Sequence, residues 1–414
     1  MTDHKEALLR WIDEDRDILI DFLSRFVQAK SPNPPGDTRV ATAFICSFLD
    51  QKKLPYRIIS PHPELPNIVG SFKCGNPGRH LVLNGHTDVF PVGDEKWTYD
   101  PWSGAFVDGR IYGRGVCDMK CGTTASVFTF AYLHRIRDQL KGKLTLTAVS
   151  DEETFGPWGA RYLMEHHPEV HGDCCLNGEP SSIYGVRFGE RGLLWLALKI
   201  ATPGAHGAYV HLSPSASKIA ARLIVDLEAI TEVKVSVPEN VSEVLKQATA
   251  LIDQGHGRGA SEVVPKITLN IGTIRAGLKL NMIPGQCLIE ADIRLPIGTD
   301  KVAVMQDIKK ILERYPQVSL EEINHAAPAW SDPHGEMIEY IRSNVKVLKG
   351  FEPLPIVSLG GTDSRLWRYQ NIPAYIYGPT PHGVGKNDEY AEIDDFLHVV
   401  RTHVLSAYDY LRRD

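Results

Sequence analysis

A chain of 414 residues is longer than an ordinary single domain, so one large and one smaller domain are expected. Its 43% hydrophobic and 23% charged residues, with a mean hydropathy of -0.18, exclude a disordered or fibrous chain. A formal net charge of -6 argues against a nucleic-acid or anionic-membrane binder, which needs a dense basic surface.

Residues 1–16 alternate charged and apolar side chains and hold no apolar stretch fit for a signal core or a membrane span. A cytoplasmic protein with no membrane partner is the expectation. Leu19, Phe22, Leu23, Phe26 and Val27 share one helical face, and that helix runs into the rigid loop Ser31-Pro32-Asn33-Pro34-Pro35-Gly36. Strand-length apolar runs follow at 67–72, 80–84, 144–149, 174–176 and 374–377, with helical stretches such as 123–137 between them. This alternation predicts an α/β fold with a mixed, largely parallel sheet flanked by helices.

After Arg187 the pattern changes to a strand (193–200), a helix (215–230), strands at 267–271 and 287–293, a helix (301–313) and a strand (318–323). Two strand-helix-strand units in succession predict a small α+β domain at 188–328, inserted into a larger one built from 1–187 and 329–414. The polar stretch 238–259 reads as an exposed excursion. The seven cysteines are scattered, and Cys117/Cys121 and Cys174/Cys175 lack the repeated spacing of a structural zinc site, so reduced thiols are expected. Cys117 itself reads as a small buried hydrophobe.

Chemistry-bearing residues gather just past the strand-like runs, where substrates bind in open α/β sheets. His86 and Asp88 follow 81–83; the histidine can bind a metal through one ring nitrogen while Asp88 accepts from the other. Asp118 lies in the glycine-rich turn 113–119, able to span two cations or, more simply, to cap a helix. Asp151-Glu152-Glu153 follows 144–149; one glutamate can ligate while its neighbour takes a proton from water, the alternative being a solvated acidic loop. Glu179 and His382 follow 174–176 and 374–377. Taken singly each placement has a bland explanation, but five in one location with hard oxygen and nitrogen donors point to a two-metal site, with zinc favoured over cobalt or manganese.

The ordered set His86-Thr87-Asp88, 113–119, Asp151-Glu152-Glu153, Gly178-Glu179-Pro180, Asn281-Met282-Ile283-Pro284, Asp292-Ile293-Arg294 and Gly360-Gly361-Thr362-Asp363 resembles the family of acetylornithine deacetylase, succinyl-diaminopimelate desuccinylase, aminoacylase and carboxypeptidase G. That resemblance spans nearly the whole chain. It implies a catalytic domain with two Zn2+ per subunit and a lid domain that pairs two subunits into a homodimer. It further implies that Asp118 bridges the metals, His86 and Glu179 hold one, and Glu153 and His382 hold the other. Glu152 would be the general base acting on a zinc-bridging water, and Asp88 would orient His86. His206 would reach the partner's active site to stabilise the oxyanion, while Asn281, Arg294, Gly361 and Thr362 handle the substrate carboxylate.

Three positions depart from the family pattern. A histidine usually stands four residues before the glutamate that is Glu389 here; this chain has Gly385 there, and His382 stands seven before. His398 and His403, in an apparent C-terminal helix, read as surface histidines. Glu190-Arg191-Gly192 replaces the Arg-Arg-Gly of the diaminopimelate desuccinylases, which argues against that substrate, and 213–217 lacks the Asn-Ala pair that often follows the lid histidine. Deacylation of a small, carboxylate-bearing N-acyl amino acid is the leading expectation. A dipeptidase or carboxypeptidase on the same site comes second, and a non-catalytic binding protein of the same fold third.

Overall fold

The computed structural model describes residues 3–94 and 96–412, and the chain separates into two compact units. One comprises Met1–Phe188, Trp330–Ile356 and Thr362–Asp414; the other comprises Gly189–Ala329 and Val357–Gly361. Among the described residues, no helix is long and apolar enough to cross a membrane.

The first unit is built on a mixed sheet. Its parallel part is central: Lys141–Val149, Asn76–His86, Cys174–Asn177 and Ala374–Ile376 run side by side. Antiparallel strands flank them, Asn67–Lys73 and Tyr56–Ile59 on one side and Gly185–Glu190 on the other. The carboxyl ends of the central strands are buried on both faces, hence their unbroken apolar runs such as Leu81-Val82-Leu83. Helix Cys121–Arg135 is buried nearly all round, which explains its lack of a polar stripe: it lies against Asn76–His86 and the C-terminal helix Ile393–Arg412. Phe22, Phe44, Phe48 and Phe128 stack edge-on and tilted, tying helices Arg16–Gln28 and Arg39–Gln51 to the same layer.

His398 and His403 do not lie on the surface. Both are buried in the C-terminal helix, His398 Nε2 at 2.8 Å from the Tyr377 hydroxyl and His403 Nε2 donating to the Tyr377 carbonyl at 2.6 Å. That helix is covered along most of its length, so its polar residues face a core. A small sheet of Ala105–Val107, Arg110–Tyr112 and Tyr390–Glu392 was not predicted either, because three-residue strands carry no usable period.

The second unit has a four-stranded antiparallel sheet in the order Thr268–Ala276, Gln286–Leu295, Gly192–Ala201, Val318–Ala326. Cys287, Ile289, Ala291, Ile293 and Leu295 alternate inward along one strand, meeting Ala216, Ala220, Leu223 and Leu227 of helix Ala216–Leu227 and Val304 and Ile308 of helix Lys301–Leu312. Asp300 caps the latter helix by accepting from Val302 N at 2.9 Å. The stretch expected as an exposed excursion is instead helical, over Glu239–Gln247 and Thr249–His256. Val241, Val244, Ala248 and Ile252 anchor it; four buried apolar residues spread over polar sequence were too sparse a signal.

Candidate metal centre

Strand Asn76–His86 ends in a histidine that is almost completely buried. Thr123 Oγ1 donates to the His86 carbonyl at 2.7 Å and fixes that strand end against helix Cys121–Arg135. His86 Nδ1 donates at 2.9 Å to the main-chain carbonyl of Asp88, which sets the tautomer and leaves Nε2 facing the acids. The carboxylate of Asp88 was expected in that role, but its Oδ1 stands 3.6 Å off. Its Oδ2 instead accepts from Asn33 Nδ2 at 2.9 Å and from Glu153 N at 3.1 Å. Asp88 therefore ties the acidic turn to the histidine's strand end, with Asn33 as a participant that the sequence offered only as part of a proline-rich loop.

Around His86 Nε2 stand Glu179 Oε1 at 3.1 Å, Asp118 Oδ1 at 3.3 Å and Glu152 Oε2 at 3.9 Å. Among the described residues, two sets of side chains have ligand atoms within 4.8 Å of one another: His86, Glu152 and Glu179, and His86, Asp118 and Glu153. Each acid has its own anchor. Glu179 follows Cys174–Asn177, and its N–H donates to Asn177 Oδ1 at 2.7 Å; Asn177 Nδ2 donates to Asn84 Oδ1, and Asn84 Nδ2 to Thr147 Oγ1, across three buried strands. Asp118 sits in the kinked segment Val116–Lys120 ahead of helix Cys121–Arg135, whose cap is Lys120, so Asp118 is not an N-cap. Of the acidic triplet, Asp151 is a turn-former: at φ 67° it accepts from Asn33 Nδ2, Thr154 Oγ1 and Trp158 N, and this turns Glu152 and Glu153 towards His86.

The electrostatics show a cluster short of positive charge. Burial alone would depress the His86 imidazole, yet the Asp118 and Glu179 carboxylates hold it well above its ordinary range. Burial pushes Glu179 up to about 7, with the Asp118 charge adding to it and His86 opposing. Glu152 is raised well above the usual carboxyl range by burial, then by the charges of Glu179 and Asp363, against the pull of His86 and Arg365. Glu153 is likewise raised by burial and by Asp118. His86 Nε2, Glu152 Oε1 and Glu153 Oε1 are buried with no hydrogen-bond partner in acceptable geometry. Orphaned donor atoms of hard type, packed within bonding reach of a common centre, fit divalent cations. Arg187 and Arg365 supply part of the missing charge, and neither stood out in the sequence: against its burial, Asp118 is lowered chiefly by His86 with Arg187 adding to it, and Arg365 Nη1 lies 3.9 Å from Glu152 Oε1.

The remaining predicted site residues are in neither potential ligand set. His382 is half-buried and stacked on Tyr390, ring centroids 4.4 Å apart and ring planes nearly parallel, and it is in neither set of potential ligands. Thr362 is buried in the first unit and accepts from Arg365 Nη1; Gly361 belongs to the second unit. His206, Asn281 and Arg294 also belong to the second unit. There the pairing of Ala205–His206 with Met282–Ile283 and the 2.7 Å bond from Gly207 N to the Asn281 carbonyl bring His206 beside Asn281. Arg294 is paired with Asp292, which also accepts from Trp195 Nε1. Arg191 donates to the Lys266 and Arg294 carbonyls and to Thr268 Oγ1, so it serves the second unit's framework. Glu389, noticed in the sequence only for its spacing, is buried and ion-paired to Arg114 at 2.8 Å; burial pushes its carboxyl up to about 7, against the Gly115 amide and Arg114.

The sequence pattern of the family described as peptidase family M20/M25/M40 matches residues 82–409. Among similar solved structures is an M20 family metallo-carboxypeptidase from Sulfolobus solfataricus, at 17% identity and a TM-score of 0.78 over 99% of each chain. The di-peptidase Dug1p from Saccharomyces cerevisiae matches at 16% identity and 0.77, again over 99% of each. A dinuclear metal binding peptidase from Bacillus subtilis matches at 14% identity and 0.64, over 96% of this chain and 99% of that one.

Proposed function

This chain belongs to peptidase family M20/M25/M40, metallohydrolases of amide or peptide bonds, and on that footing we propose that it removes the acyl group from a small N-acyl amino acid. The observation that carries the reading is the buried convergence of Asp118, Glu152, Glu153 and Glu179 on His86. In the proposed arrangement His86 and Glu179 hold one divalent cation, Glu153 contributes to a second, and Asp118 is shared between them. Zinc suits these donors, with cobalt or manganese as substitutes, and such a pair would polarise the amide carbonyl and acidify water.

Glu152 is the proposed general base. It takes a proton from the attacking water and returns it to the leaving amine; its burial in the cluster and an Oε1 that has no hydrogen-bond partner support that role. The Asp88 carbonyl keeps His86 in the ligating tautomer, and the Asp88 carboxylate holds the Glu153 backbone. Asn281, Arg294, Gly361 and Thr362 are proposed to hold the substrate carboxylate, and His206 to donate to the developing oxyanion of a partner subunit in a homodimer. Exposed apolar side chains on the second unit, Val210, Leu278 and Leu280 among them, support the pairing. A cytoplasmic location remains part of the proposal.

A dipeptidase or carboxypeptidase is the second reading, favoured by the carboxypeptidase and di-peptidase among the similar structures. It uses the same residues and differs in the pocket for the leaving amine. A hydrolysis screen over acetyl, formyl, succinyl and aminoacyl conjugates of varied amino acids separates the two. The proposal expects turnover of acyl conjugates, lost by about 10²–10⁴-fold in Glu152→Ala with metal retained. Turnover confined to aminoacyl conjugates would replace it with the second reading, and unchanged turnover in Glu152→Ala would remove that residue as the base.

A further inference from the structure

Glu389 is fully enclosed, and its carboxylate reaches the acidic cluster around His86 through the main-chain N–H of Asp118. Its two oxygens accept four hydrogen bonds. Oε2 takes Arg114 Nη1 at 2.8 Å and Gly115 N at 3.1 Å; Oε1 takes Cys117 N at 2.9 Å and Asp118 N at 3.2 Å. Backbone N–H groups turned inward over a short segment form a concave anion site, a geometry opened here by Gly115 at φ 76°. At Gly115 a Cβ would lie 2.0 Å from Val89 Cγ1, so the turn is closed to larger residues. The anion that fills it comes from a segment more than 270 residues away in sequence. The Gly113 N–H donates to the Glu389 carbonyl at 2.9 Å, so both the backbone and the side chain of Glu389 clasp the turn.

From this cradle we infer that Glu389 is a positioning residue for Asp118, holding the carboxylate proposed to be shared by two cations at its place before metal arrives. The inference rests on the ligand role proposed for Asp118. Without Glu389, three inward N–H groups and a buried guanidinium lose their acceptor, and the 115–118 turn must open towards water to satisfy them. Opening carries Asp118 away from His86, and metal binding then has to reorder the turn. Such supporting residues cost metal affinity when altered. Glutamine is no substitute, since its amide NH2 would be turned on N–H groups that need an acceptor.

The test is zinc affinity of the metal-stripped full chain, measured by competition with a chromophoric chelator, together with its melting temperature without metal. Glu389→Gln is expected to bind zinc about 10- to 100-fold more weakly. Ile111→Val, a cavity in the adjacent small sheet, serves as the control for instability alone and should lower the melting temperature with no loss of affinity. Wild-type affinity in a folded Glu389→Gln protein overturns the inference. If that variant does not fold, amide hydrogen exchange in metal-free wild type decides: protected Cys117 and Asp118 amides uphold it, and exchange at the rate of an open loop overturns it. Asp118→Asn, measured alongside, separates the premises. Unchanged zinc affinity there would remove Asp118 as a ligand and the role of Glu389 with it, whereas weakening there but not in Glu389→Gln would overturn the role of Glu389 alone.

Discussion

Gly122 and Gly178 meet backbone to backbone: a Cβ on Gly122 would lie 1.9 Å from the Gly178 carbonyl oxygen. This contact lets the start of helix Cys121–Arg135 press on the strand end that carries Glu179, while Asp118 stands three residues before the helix. Gly122→Ala must push the two apart. We expect a loss of about 1–3 kcal/mol in stability by urea unfolding, together with weakened zinc binding. Wild-type zinc affinity in the variant would show that the spacing does not control the site.

His382 is expected to contribute little to metal binding, because its ring lies flat against Tyr390 and outside both potential ligand sets. His382→Ala should retain both metals, with affinities within about three-fold of wild type. Loss of one metal, by elemental analysis, would restore the histidine as a ligand.

Burial holds His403 down at about 4, from an ordinary 6.5, with its Nε2 hydrogen bond to Tyr377 only partly opposing. The folded state thus resists a proton that the unfolded state accepts. Its contribution to stability is fully present above pH 6.5 and is lost as the pH falls towards 4. Between pH 7.5 and 4.5 this is worth about 2.5 kcal/mol. Urea midpoints across that range should fall less in His403→Gln than in wild type. Parallel losses in the two proteins would contradict the assignment.

If His206 serves the neighbouring subunit, mixed dimers of His206→Ala and Glu152→Ala chains each regain one intact site. Two inactive preparations should then recover about a quarter of wild-type activity after subunit exchange. No recovery in demonstrated heterodimers would confine His206 to its own subunit.

What the sequence disclosed depended on how local the signal was. The central strands were readable as apolar runs because both their faces are buried, and His86, Glu152, Glu153 and Glu179 were readable because each directly follows such a run. Asp88 shows the limit: its position was legible, but not that its carbonyl, rather than its carboxylate, would meet Nδ1. The roles of Glu389, Asn33, Arg187 and Arg365 escaped notice because their partners are distant in sequence, and a buried arginine looks like a surface one until its neighbours are known. His398 and His403 were misplaced for the opposite reason. A polar residue on a helix argues for solvent, and only packing against Tyr377 shows the reverse.

The central claim is that the acids converging on His86 bind two divalent cations, and the metal-to-protein ratio of the purified chain tests it most directly. After zinc reconstitution and removal of free metal, elemental analysis should give about two ions per chain, falling by at least one in His86→Ala. A ratio near zero, or one unaltered by His86→Ala, would contradict the account.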